Sequence, residues 1–152
     1  MILSFFVPST RRGKSGKFLA LPGRNELECV SRGNYNLAAK YKREEGRRVA
    51  DIAAVAARKQ GWHQPKGKVR ISYLWIEPND RRDQDNIRAY EKCLLDGLTP
   101  PKGGVNGGKK YGAGIIKDDS QKYIDGCTTS SIMVCNDQPG VYVRIEEVQY
   151  EY

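Results

Sequence analysis

The sequence predicts one small α/β domain, of the α+β kind, with a mixed β-sheet and two main helices. The chain has 152 residues, a length that suits a single domain. Two segments repeat apolar side chains with a helical period, and four others are short apolar or alternating runs typical of strands. The helices are predicted at 36–60 and 85–98, and the strands at 2–7, 68–77, 123–135 and 140–150. The resulting order, β-α-β-α-β-β, favours this fold class.

The first half of the chain is predicted to hold one strand and one long helix. Pro8 ends the opening apolar run, and a basic loop follows it. In the helix, Asn34 or Asn36 is a candidate cap and Gly46 marks a possible bend or break. The stripe predicted to face the core contains Leu37, Tyr41, Val49, Ile52, Val55 and Ala56.

The second half predicts a strand that becomes buried on both faces, a second helix and a terminal hairpin. The strand at 68–77 alternates at first and is apolar on both sides near its end. In the second helix, Gly97 stands where a C-cap belongs. The last two strands are predicted to pair through a turn at 136–140.

Residues 99–114 are predicted to form a flexible loop. The segment holds six glycines, two prolines and three lysines, and it is long for an ordinary connection. A glycine–lysine sequence at 107–109 has a superficial likeness to a phosphate loop, but the Walker spacing is absent.

The charge of the chain is unevenly distributed. Residues 1–70 carry sixteen Lys and Arg against five Asp and Glu, a net charge of +11, whereas residues 71–152 carry a net charge of −3. A basic region suits a polyanion, because neutralising phosphates releases counterions. The alternative is a solubilising surface that binds nothing.

Several classes of protein are disfavoured by the sequence. The opening apolar run lacks a charged start and is too short for a signal peptide or a membrane span, so we expect a cytoplasmic protein. The four cysteines form no C-x-x-C pair, and the single histidine, His63, does not complete a zinc site. We therefore expect reduced thiols and a surface histidine.

Two acidic groups are the candidate site of chemistry. Asp83 and Asp85 follow the buried strand and open the second helix, and Asp118 and Asp119 follow a short apolar run. Each group has a simpler structural explanation, as a helix cap or as an acidic turn. If the two groups converge, they supply the oxygen ligands that Mg²⁺ prefers. The enzymatic interpretation depends on that convergence.

Three segments resemble the RusA family of Holliday-junction resolvases. They are Arg81-Arg82-Asp83-Gln84-Asp85-Asn86, then Leu95-Asp96-Gly97-Leu98, then Ile116-Lys117-Asp118-Asp119-Ser120-Gln121, in the family's order. The likeness is good from about 68 to 121. At the front of the chain, residues 21–26 and 35–43 resemble phage-type members.

The resemblance implies a function. The family members are small α/β homodimers that resolve four-way DNA junctions by paired nicks with Mg²⁺ or Mn²⁺. By this resemblance Asp83, Asp85 and Asp119 are the catalytic metal ligands, and Asp118 is an auxiliary acid. A two-fold dimer would supply two sites for two symmetric strands.

The resemblance also has departures and alternatives. A lysine that the family often has is replaced by Ala89, with Arg88 or Lys92 as possible substitutes, and the segment 99–114 is longer than usual. The candidate DNA contacts are Arg81, Arg82, Arg88, Lys92, Lys117, Arg11, Arg12 and Lys14, with Lys102, Lys109 and Lys110 possible additions from the long segment. Alternatives are a metal nuclease for flaps or forks, a non-catalytic DNA-binding protein, and a structural protein.

Overall fold

The computed structural model confirms the α/β class. It describes residues 1–28, 35–103, 108–126 and 129–149. The strands are β1 (Ile2–Pro8), β2 (Val69–Glu77), β3 (Thr129–Val134) and β4 (Gly140–Glu147), and the helices are α1 (Arg24–Leu27), α2 (Tyr35–Gln60), α3 (Gln84–Arg88) and α4 (Glu91–Leu98). A short helix therefore precedes α2, and the second predicted helix is divided in two.

The four strands form one mixed sheet in the order β1-β4-β2-β3. Strand β4 is antiparallel to both β1 and β2, whereas β3 is parallel to β2. The predicted hairpin between the last two strands is wrong, because β2 lies between them. Strand β4 has neighbours on both sides, and its core-facing side chains are at most 1% exposed: Val141, Val143 and Ile145. Burial of this face favours the central position over a local hairpin with β3.

Helices α2 and α4 lie against one another and close the core with the sheet. Strand β2 is buried on both faces at its end, as predicted. The rings of Trp75 and Tyr90 meet edge to face, with their centroids 6.5 Å apart. The core is formed mainly by Leu3, Val7, Leu27, Val49, Ile71, Tyr73, Trp75, Ile87, Tyr90, Leu94, Leu98, Ile116, Val143 and Ile145.

Helix α2 is continuous through Gly46, so the predicted break does not occur. The ring of Tyr111 packs where a side chain at residue 46 would stand. The stripe was only partly predicted, because Leu37 and Val55 are 47% and 41% exposed, whereas small residues such as Ala50 and Ala53 are buried. Asn36 lies within the helix, and Asn34 lies outside the described residues.

The second predicted helix is interrupted at 89–90. The N-cap is Asp83, whose carboxylate accepts a hydrogen bond from the backbone N–H of Asn86 at 2.8 Å. Gly97 lies inside α4 rather than after it, and Thr99 is the C-cap residue. The glycine is needed for the approach of α2, which the apolar pattern of a single helix does not reveal.

The described parts of 99–114 are tied to α4. The backbone N–H of Ala113 donates to the carbonyl of Gly97 at 2.9 Å, and the N–H of Lys102 donates to the carbonyl of Lys109 at 2.9 Å. Residues 104–107 lie outside the described part of the chain. Residues 99–103 and 108–114 contain no helix or strand, as expected of a loop, and the flexibility of the segment stays a prediction.

Other expectations concern single residues. Cys93 is a buried free thiol and Cys135 is also free, whereas Cys29 and Cys127 lie outside the described residues. His63 is exposed, as expected. Within the described ranges, no helix combines the length and the apolar composition that a membrane crossing requires.

We predict that Gly97→Ala lowers the free energy of unfolding by about 1–3 kcal/mol, because an added Cβ overpacks the crossing of α2 and α4. That Cβ would lie 2.6 Å from a methyl group of Val49 and 2.8 Å from the carbonyl oxygen of Gly46. Urea denaturation at equilibrium measures the change. Gly67→Ala is the control, because a Cβ at Gly67 meets no atom within 4 Å. Equal effects in the two variants would contradict the packing argument.

Candidate active site

The D-x-D-N segment lies at the start of α3. Asp83 caps the helix, and Asp85 follows in the first turn, where a negative charge is stabilised by the helix dipole. Both side chains are exposed. The segment does cap the helix, but through Asp83 rather than through Asp85 or Asn86, the residues that the sequence suggests for that role.

The basic residue before this segment has a structural partner. The guanidinium of Arg82 donates to both carboxylate oxygens of Glu77, at 2.8 and 2.9 Å, and to the carbonyl of Leu21 at 3.0 Å. The side chain of Glu77 is 4% exposed. Because a buried carboxylate requires a paired cation, Arg82 is fully engaged in holding the end of β2 to the front of the chain.

Asn86 connects the same two regions. Its side-chain oxygen accepts a hydrogen bond from the backbone N–H of Arg24 at 2.7 Å. A Cβ on Gly23 would lie 2.2 Å from that oxygen, so only glycine allows α1 to approach α3 this closely. The two segments that resemble the RusA family at the front and the middle of the chain are therefore in contact.

The D-D segment is anchored to the end of α4. Ile115 and Ile116 are 3% and 1% exposed, and the backbone N–H of each donates to the carbonyl of Leu98. The backbone N–H of Asp119 lowers the pKa of Asp118, and the Ser120 hydroxyl and the Lys102 ammonium add to the effect. Asp118 is therefore a carboxylate at neutral pH.

The expected metal site is not assembled. Among the residues that the structure describes, which include all four candidate acids, no three His, Cys, Asp or Glu side chains are grouped closely enough to hold a metal ion. Asp83, Asp85 and Asp119 thus do not fit a shared ion as they stand. The convergence on which the enzymatic interpretation depends is not seen in this structure.

Asp119 instead faces a cationic cavity. The cavity has a volume of about 530 Å³ and is lined by residues of α2 and α4, by residues at 99–102 and 108–111, and by Asp119. Asp119 and Asp96 are the acids that line it. The cations that line it are Arg43, Arg47, Lys92, Lys102, Lys109 and Lys110.

Three of these cations have oxygen partners. The ammonium of Lys92 lies 3.3 Å from Asp96, and that of Lys102 lies 3.8 Å from Asp118. Lys109 donates to the backbone carbonyls of Asp96 and Thr99 and to the Thr99 hydroxyl. Burial lowers the pKa of Lys109, and Asp96 and Asp119 partly oppose that effect.

The remaining candidate DNA contacts differ in their exposure to solvent and in their partners within the protein. Arg81, Arg88 and Lys117 are exposed, as is Lys14. Arg11 donates to Glu26 at 2.9 Å, and Arg12 lies over the ring of Phe18 at 4.1 Å. Ala89, at the position where the family often has a lysine, packs against the core, whereas Lys92 faces the cavity.

Some residues of the cavity were not in the predicted site. Arg43 and Arg47 belong to a basic helix face that is typical of solvated surfaces, so charge alone does not single them out. Tyr111 comes from a glycine-rich segment without a regular period, and Asp96 was noted only as part of the second motif. The four-residue spacing of the two arginines is the one signal that places them on a common face.

No protein-family model and no curated protein matches this sequence. The resemblance to the RusA family therefore depends on the three motif segments and on the looser likeness at residues 21–26 and 35–43.

We predict that Arg82→Ala lowers the free energy of unfolding by about 3 kcal/mol, because it leaves the buried carboxylate of Glu77 without its cation. Chemical denaturation measures the loss. Arg81→Ala is the matched control, since the Arg81 side chain is exposed, and we expect it to change stability by less than about 0.5 kcal/mol. If Arg82→Ala keeps full stability and loses only DNA affinity, Arg82 is a DNA ligand instead.

Proposed function

We propose that this protein is a divalent-metal-dependent endodeoxyribonuclease of the RusA type, which resolves four-way DNA junctions by paired symmetric nicks. One observation carries the proposal: Asp119, a candidate catalytic acid, lies in a cavity lined by six Lys and Arg residues. Cations of this number attract phosphodiesters, and a carboxylate among them stands beside any phosphate that they bind. An acidic turn with only a structural role does not require such surroundings.

The chain's own residues have separable tasks in this proposal. The cations of the cavity bind the DNA backbone, and Asp119 lies among them. The lowered pKa of Asp118 keeps that neighbouring residue ionised. The dependence on Mg²⁺ or Mn²⁺ is supported by the resemblance and by the chemistry of carboxylates. Since three acids do not converge among the described residues, we assign no catalytic step to a metal ion.

The proposal includes a homodimer. The sheet face opposite α2 and α4 carries exposed apolar side chains, among them Ile2, Met133 and Tyr142, which are 48%, 49% and 51% exposed. The rings of Phe6 and Tyr142 lie 4.4 Å apart on this face. Exposed apolar surface favours association, and a two-fold dimer would present two sites to a symmetric junction. The proposed setting is DNA recombination and repair in the cytoplasm of a bacterium, with a bacterial or phage gene as its source.

A second candidate is a non-catalytic protein that binds branched DNA. It is favoured because Asp83, Asp85 and Asp119 do not form a three-acid group among the described residues, and a binding protein needs the cations and not the metal site. A nuclease that acts on flaps or forks is a variant of the first candidate. Product sizes on junction, flap and linear duplex distinguish these substrates.

We predict that the wild-type protein cleaves a labelled synthetic four-way junction in Mg²⁺ and that EDTA abolishes cleavage. Asp119→Asn and Asp83→Asn should each reduce the cleavage rate by more than about 100-fold, since loss even of a residue that supports a metal ligand costs 10–100-fold. Binding of the junction should persist or become tighter, because one negative charge near the phosphates is removed. Asn caps a helix as well as Asp does, so Asp83→Asn retains the start of α3.

Asp51→Asn is the control, because Asp51 is an exposed acid on α2 outside the cavity. It should cleave like the wild type. Binding without cleavage by the wild-type protein would establish the second candidate. An active Asp119→Asn protein would remove Asp119 from the catalytic site.

A further inference from the structure

The cationic cavity contains positive charge that the protein itself does not neutralise. Arg43, Arg47 and Lys110 form no ion pair with a carboxylate among the described residues, in contrast to Lys92 and Lys102. Arg43 and Arg47 are four residues apart on α2, so their like charges weaken the helix slightly. Two arginines that face the same cavity at this spacing are better explained by an anionic ligand than by the stability of the helix.

The other wall of the cavity is held in place by Lys109. Its ammonium group has three N–H donors, and it makes three hydrogen bonds to oxygens at the end of α4. Lys109 is therefore a positioning residue that fastens the long segment and leaves phosphate binding to other cations. Tyr111, from the same segment, packs on Gly46 beneath Arg47, whose guanidinium lies 5.8 Å from the ring.

We propose that this cavity binds phosphodiester groups of one DNA strand and that Arg43 and Arg47 are their main ligands. This inference rests on the proposed action on DNA. A guanidinium pairs with phosphate oxygens through two parallel N–H donors, and the spacing of the arginines presents two such groups on one side. A strand bound there passes close to Asp119, which lines the same cavity. The cavity thus determines which stretch of the strand reaches the candidate catalytic acid.

The inference is tested with the full-length protein and a labelled four-way junction in EDTA, by fluorescence anisotropy over a series of salt concentrations. Arg43→Ala/Arg47→Ala should reduce the slope of log K against log salt by about 2 and weaken binding roughly 50-fold at 0.1 M salt, because each lost phosphate contact removes about 0.9 from the slope. Arg58→Ala/Lys59→Ala removes two exposed cations of α2 that do not line the cavity, and it should change the slope by less than half as much.

The outcomes separate this inference from the proposed function. Equal losses in the two double variants would show a general charge effect and overturn the inference, while the nuclease proposal would stand. Selective loss in the cavity variant supports the inference even if the wild type does not cleave. Absence of DNA binding by the wild type would overturn both.

A competition arm identifies the source of the phosphate. Displacement of the junction by an unlabelled oligonucleotide, with no effect of inorganic phosphate at matched ionic strength, supports a DNA strand as the ligand. Displacement from the wild type by inorganic phosphate, with none from the cavity variant, would show a site for free phosphate and overturn the inference.

Discussion

The close crossing of α2 and α4 determines where the candidate site can form. Gly97 of α4 contacts Val49 of α2, and Gly46 accepts the ring of Tyr111 beside the same crossing. Because neither helix has a side chain at these points, the cationic face of α2 stands beside Asp96 and Lys92 of α4. Residues 99–102 and 108–111 then contribute the other wall of the cavity. A larger side chain at either glycine would move a wall of the cavity as well as the core.

Buried polar groups make this crossing specific as well as close. The carboxylate of Glu45 on α2 accepts hydrogen bonds from the Tyr90 hydroxyl and from Arg48, whose Nη2 lies 2.7 Å away. Burial raises the pKa of the Cys93 thiol to about 12, and the carboxylates of Glu45 and Asp96 reinforce that effect. The thiol is therefore protonated and acts in packing. Because removing one partner of a buried ion pair is strongly destabilising, these bonds favour the observed contact between α2 and the start of α4.

The local patterns of the sequence predicted the strands and helices better than they predicted which of these elements contact one another. The alternation and length of β2 predicted a strand buried on both faces at its end, and the structure confirms it. The pairing of β3 and β4 was not predictable from their turn, since it depends on β2 and β1, which lie far away in the chain. Similarly, a glycine at position 97 is typical of a helix C-cap, but Gly97 lies inside α4 and allows the close contact with α2. Only the tertiary structure reveals that contact. At the candidate site, sequence identified the acids, whereas the cavity is formed by segments with no common motif.

The residues that carry the resemblance to the RusA family do not all bear on catalysis in the same way. Asp83 caps α3, Arg82 neutralises Glu77, and Asn86 holds α1, so a chain that had lost its activity would still need these residues to fold. Asp119 is different, because it is exposed, caps no helix and forms no ion pair among the described residues. Asp119 lies in the cavity lined by six cations, and its charge partly opposes the effect of burial on the pKa of Lys109. The proposed enzymatic role therefore depends on Asp119 more than on Asp83, because Asp83 caps a helix whereas Asp119 lies in the cationic cavity.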